Sequence, residues 1–214
     1  MRKRNTLIMA AGIGAIASLV FVPAANADTV TPTPTPETTT SVGTMTVAGY
    51  DPAVAEAHGF KIVTAADGSQ SSVPITAAAK AEAAKAKAFD ATAAAKALGA
   101  SADAVTPQGT KPGNCGISVL TGSKGANDMV NFKTGFTVRL PYQEFNWRVQ
   151  ANGFITGGTK NWHGGAGDGY WRKSSSIKAV GPGTALVPAL NSAARSVLED
   201  GTICYSDGPD FSFG

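Results

Sequence analysis

Polar and apolar residues alternate most regularly in the second half of the chain. Over residues 131–140, Phe132, Thr134, Phe136 and Val138 share one face and Lys133, Thr137 and Arg139 the other. That two-residue period belongs to a half-buried strand. Arg148 and Gln150 flank Val149 in the same way. Runs of this kind, separated by Gly, Asn and Asp, predict strand-bearing segments at 116–123, 129–140, 145–151, 154–162, 169–180, 185–190 and 194–205. Within the last of these, Glu199-Asp200-Gly201-Thr202 between alternating residues predicts a hairpin. A helix over 185–199 competes, because Ala189, Leu190, Ala193, Ala194 and Val197 have near-helical spacing, although Pro188 and Asn191 oppose it. The expected fold is mainly β: an antiparallel β-sandwich of immunoglobulin-like type over 114–214, preceded by an Ala-rich helix and disordered linkers.

The first half carries different patterns. Asp51 can cap a short helix with Pro52 in its first turn, and Gly59 can end it in the left-handed conformation, with His58 at its C-terminus. Residues 60–64 and 70–75 then predict a hairpin turning through Ala65, Ala66, Asp67 and Gly68. This unit, 49–75, is too small to hold itself together and must dock elsewhere or stay partly fluid. Residues 76–100 are dominated by alanine, and with Thr76 as a cap they predict one helix. Its only large apolar residues are Phe89 and Leu98, so it reads as a solvated spacer. Linkers are expected at 28–48, where Thr and Pro alternate from Thr31 to Pro36, and at 101–113 around Pro107 and Pro112. The Thr/Pro composition also suits O-glycosylation, or a plain tether.

Residues 1–27 combine Arg2, Lys3 and Arg4 with an apolar run over 7–22 and the small-residue ending Ala25-Asn26-Ala27. This is the pattern of a secretory signal cleaved after Ala27, and the apolar run is short for a membrane span. The mature chain is therefore expected to be secreted, extracellular and without a transmembrane anchor. The formal charge of +3 on 214 residues resides in those first basic positions, and the remainder is balanced. Nine basic residues face seven acids across 114–214, which gives no nucleic-acid footprint.

Cys115 and Cys204 are the only cysteines, and an exported chain makes one disulfide between them the expectation. With only His58 and His163 in the sequence, no metal-ligand spacing occurs, and no metal or cofactor is expected. Gly-x-Ser-x-Gly is absent, and the glycines near His163 lack the Lys-Ser/Thr of a phosphate loop. Carboxylates at Glu144, Asp168, Glu199 and Asp200 are not paired by any pattern. No catalytic residue is assigned, and the chain is read as a non-enzyme.

All three tryptophans lie beyond residue 113. Trp162, Tyr170 and Trp171 bracket a glycine-rich stretch, with His163 beside them and Arg172 and Lys173 at the rim. They are candidates for an aromatic platform that binds a sugar ring or peptide. Against this, Tyr170 and Trp171 are adjacent, so on one strand they would point to opposite faces.

The stretches Gly49-Tyr50-Asp51-Pro52-Ala53-Val54-Ala55-Glu56-Ala57-His58-Gly59-Phe60, Gly113-Asn114-Cys115-Gly116 and Asp200-Gly201-Thr202-Ile203-Cys204-Tyr205 resemble small exported proteins of high-GC Gram-positive bacteria. The resemblance implies secretion and a two-cysteine β domain, and implies no activity. The expected function is a secreted non-catalytic binding module for cell-envelope glycan or another extracellular partner. Alternatives are a secreted inhibitor or antagonistic toxin with a removable pro-region, and an extracellular hydrolase using His163.

Overall fold

The computed structural model describes residues 37–86, 89–100 and 114–214. The expected signal over 1–27, the Thr/Pro tract through Pro36 and the expected linker over 101–113 lie outside the described residues. The chain has the expected mainly β, sandwich-like architecture, but its sheet begins earlier than expected. Thr39–Tyr50 forms a twelve-residue strand, β1. This corrects the linker drawn through residue 48, and β-branched Thr39, Thr40, Val42, Thr44, Thr46 and Val47 supply the strand propensity.

After β1 come α1 (Pro52–Ala57), β2 (Phe60–Thr64), β3 (Gln70–Pro74), α2 (Ala77–Ala86) and α3 (Ala91–Ala97). The aromatic-rich half supplies β4 (Asn114–Lys124), β5 (Met129–Val138), β6 (Tyr142–Gly153), β7 (Gly157–Gly164), β8 (Tyr170–Lys178), β9 (Gly183–Leu186), β10 (Arg195–Leu198), β11 (Thr202–Ser206) and β12 (Asp210–Phe213). The competing helix over 185–199 does not form, since β9 and β10 occupy its ends. β10 and β11 make the expected hairpin, with Gly201 at φ +78° where a side chain would be strained.

Ten strands form one antiparallel sheet in the order β12-β9-β6-β10-β11-β1-β4-β5-β8, with β7 also paired to β6. β1 sits between β11 and β4, hydrogen-bonded on both edges. The expected 114–214 domain is therefore incomplete without it. The sheet folds over so that β5 and β6 face each other across one core. The Phe136 ring lies 5.2 Å from Trp147 and 5.6 Å from Phe145. Both Phe136 and Trp147 are buried, and burial of a ring the size of Phe136 contributes about 3 kcal/mol. These layers are continuous through β10, β11 and β1, whereas an immunoglobulin domain keeps two sheets.

Cys115 and Cys204 form the expected disulfide, with Cα atoms 5.9 Å apart. Cys115 is the extra residue where the β1–β4 register shifts between Met45 and Thr46, and Cys204 pairs with Val47. The bond therefore clamps the two neighbours of β1. Closing a loop of this length contributes roughly 4 kcal/mol in the chain-entropy picture.

The helix-hairpin unit docks, the first of the two outcomes expected for a segment of its size. Asp51 caps α1 by accepting from Ala53 and Val54 N–H, and its own N–H donates to Gly201 O at 2.7 Å. The Ala-rich segment departs from the single spacer helix expected. Asp90 accepts from Thr92 and Ala93 N–H at 2.8 and 3.1 Å and starts α3. Ala94, Ala95 and Leu98 then pack on Ile117 and Val119 of β4. Leu98 reaches the sheet because residue 135 is glycine; a Cβ there would sit 3.1 Å from Leu98 Cδ2. No described helix is long and apolar enough to cross a membrane.

Candidate functional site

Alternation in β6 turns Phe145, Trp147, Val149 and Ala151 into the core, and Asn146, Arg148 and Gln150 outward. The antiparallel register places Asn146 opposite His163 and Arg148 opposite Asn161 of β7. The result is a polar ladder on the outer face of a strand pair whose inner face is aromatic. Arg148 Nε donates to Asn161 Oδ1 at 2.7 Å, which fixes the guanidinium across the two strands.

The other edge of β6 is shared end to end. β10 pairs with residues 142–146 and β9 with residues 150–153. Between them the edge has no strand neighbour, and the turn carrying Asn191, Ser192 and Ala193 lies beside the gap. Asn146, Arg148, Asn161, His163, Asn191 and Ser192, together with Trp147 and Trp162, line the open, predominantly polar cavity there, of about 400 Å³.

The turn is held in a strained conformation. Leu190 is exposed at φ 47°, in the left-handed region that costs a bulky side chain roughly 1–2 kcal/mol. Its N–H donates to Ser206 O at 2.6 Å, and Asn191 Oδ1 accepts from Ala193 N–H at 2.9 Å. Strain of this kind persists where the surroundings enforce it, often at ligand clamps. At the flank, Arg195 Nη2 donates to Glu144 Oε1 at 2.6 Å.

The structure divides the expected aromatic platform. Trp162 and Trp171 turn toward the core, 5.8 Å apart, and Trp171 stacks on Phe136 at 5.9 Å. Tyr170 is exposed and lies in register with Thr137, and Arg172 in register with Gly135, on the outer face of β5 and β8. Arg172 Nη2 lies 3.6 Å from where a Cβ on Gly99 would stand, beside α3. Adjacent strand residues point to opposite faces, so Tyr170 and Trp171 cannot share a surface. Of the five candidates, Trp162 and His163 line the polar cavity, and Tyr170, Trp171 and Arg172 do not.

Among the described residues, no hydrogen bond ties His163 to a serine or a carboxylate. No group of three or more metal-ligating side chains occurs among them either. His58 Nδ1 lies 3.8 Å from Glu199 Oε1, at the joint between α1 and the β10–β11 hairpin.

A second cleft, about 390 Å³, lies where the helix-hairpin unit and α2 meet the sheet, with Phe60 and Ala83 on one side and Tyr50, Arg139, Leu140 and Asp200 on the other. Its charges are already matched, because Arg139 Nη2 donates to Asp200 Oδ2 at 2.9 Å and to Thr202 Oγ1 at 3.0 Å.

Sequence reading singled out none of Asn146, Arg148, Asn161, Asn191 and Ser192 as site residues. The signal available was the polar set flanking Val149, which becomes informative once β7 is placed beside it. In comparisons with known proteins, no family model, curated sequence or solved structure matches the chain.

Proposed function

We propose that this chain is an exported, non-catalytic binding protein whose β6–β7 outer face takes a hydroxylated ligand, with cell-envelope glycan as the class that best fits the lining. The observation that carries the reading is the composition of the cavity at the β9–β10 gap. Asn146 offers an amide donor and acceptor, Asn161 and Asn191 amide donors beside oxygens that already accept from Arg148 Nε and Ala193 N–H, Ser192 a hydroxyl, and Arg148 a fixed guanidinium. Sugar hydroxyls both donate and accept, so mixed planar groups of this kind suit them. The volume falls within the range of ligand pockets generally. The disulfide is compatible with an oxidising compartment, and the basic-apolar-small order of residues 1–27 supports export.

The alternative of a removable pro-region is less favoured. Cutting near residue 113 would release β1, the strand that both β11 and β4 hydrogen-bond. The test is co-sedimentation of the full mature chain with purified cell-wall sacculi. Retention is expected for the unaltered chain and about tenfold weaker binding for the Asn146→Ala/Asn161→Ala double variant, as two lost hydrogen bonds imply. Equal retention of both, or none for either, removes the reading.

A further inference from the structure

We infer that the β6–β7 cavity is built to receive an oxyanion carried by its ligand, a carboxylated sugar above all, with Arg148 as its anchor. The inference rests on the proposed binding face and adds the chemistry of what that face selects.

Three arginines in or beside the sheet are half-buried, and they differ in one respect. Arg139 donates to Asp200 at 2.9 Å and Arg195 to Glu144 at 2.6 Å. Arg148 has no carboxylate within 4 Å among the described residues; its partner is the neutral amide oxygen of Asn161. A guanidinium drawn partly out of water without a counter-charge is costly, and an incoming anion offsets that cost.

The geometry specifies how the anion is met. Asn161 takes the Nε–H, so the terminal Nη1/Nη2 edge carries no protein acceptor and is held by the cross-strand bond. A planar edge of two parallel N–H groups matches the two oxygens of a carboxylate. Around it, Asn146, His163, Asn191 and Ser192 remain for neighbouring hydroxyls. Glu144, on the same outer face of β6, is committed to Arg195. This distinguishes the cavity from the cleft at Arg139, where Asp200 already fills the anion's place.

The experiment is calorimetric titration of the full mature chain with trigalacturonic acid, with its methyl ester, and with a sulfated disaccharide. The acid should bind about tenfold more tightly than the ester. Arg148→Gln should abolish that preference, so that acid and ester bind equally to within about twofold, with the acid losing about tenfold in affinity. Arg148→Lys keeps the charge but not the planar edge, and should retain only part of the preference. A sulfated sugar that binds as tightly as the acid, with the same dependence on Arg148, supports the oxyanion site and moves its ligand class from carboxylate to sulfate. Equal binding of acid and ester, or a preference surviving in a folded Arg148→Gln chain, overturns the inference and leaves the glycan reading standing. Binding of none of the three, with sacculi still retained, also overturns it. If sacculi are not retained either, both readings fall together.

Discussion

Trp147 Nε1 donates a 2.9 Å hydrogen bond to Thr134 Oγ1, and the Thr134 hydroxyl donates to Val119 O at 3.1 Å. All three residues are buried. One hydroxyl thereby links β6, β5 and β4 through the middle of an otherwise apolar core. Thr134→Val preserves the shape and strands the indole N–H. It should lower unfolding stability by about 1–3 kcal/mol in urea titrations, whereas Thr134→Ser, which keeps the hydroxyl, should cost less. Equal losses in the two variants would show that the methyl group, and not the hydrogen bond, matters at this position.

Gly201 and α1 meet as closely. A Cβ on Gly201 would press on Asp51 O and come 2.8 Å from Ala55 Cβ, and the backbone there is at φ +78°. Gly201→Ala should therefore loosen the helix-hairpin unit before the sheet. Hydrogen exchange is expected to speed up at the amides of Asp51 and Ala55 while Phe136 and Trp147 stay protected. Uniform acceleration across the chain would mean that the unit and the sheet open as one.

What the sequence discloses depends on whether the signal is local. In β5, two-residue alternation names the buried set Phe132, Thr134, Phe136 and Val138 directly, and the structure buries all four. The α1 cap at Asp51 and the turn at Gly201 were equally legible, because cap and turn chemistry act over a few residues. β1 was hidden by its neighbours: a Thr-rich strand with one fully buried residue, Met45, follows a Pro repeat and looks like more linker. Its place is set by pairing with segments far along the chain, which alternation cannot report. The aromatic cluster drew attention to Trp162 and Trp171 for a second reason. Large rings mark both cores and binding surfaces, and here the fold turns them inward against Phe132 and Phe136. The polar cavity needed register between β6 and β7, information that lies in no single segment.

Tyr142 gives the fold an alkaline limit. Burial, and next the Asp168 carboxylate, hold its phenol above the ordinary tyrosine value. A phenol that ionises less readily folded than unfolded adds stability that is fully present below about pH 10 and is lost as pH rises through the folded value. Urea midpoints measured from about pH 8 to about pH 11.5 should fall along this range, and Tyr142→Phe should flatten the fall. An unchanged slope in the variant would assign the alkaline loss to other groups.

The central claim is that ligand meets the cavity on β6 and β7 and not the β5–β8 face that carries Tyr170 and Arg172. Amide chemical-shift mapping of the labelled mature chain during titration with soluble cell-wall glycan fragments tests it most directly. Shifts should concentrate at Asn146, Arg148, Asn161, His163 and the turn at Asn191–Ser192, with Tyr170 and Arg172 unmoved. Shifts centred on Tyr170 and Arg172, with the β6–β7 face silent, would contradict the account.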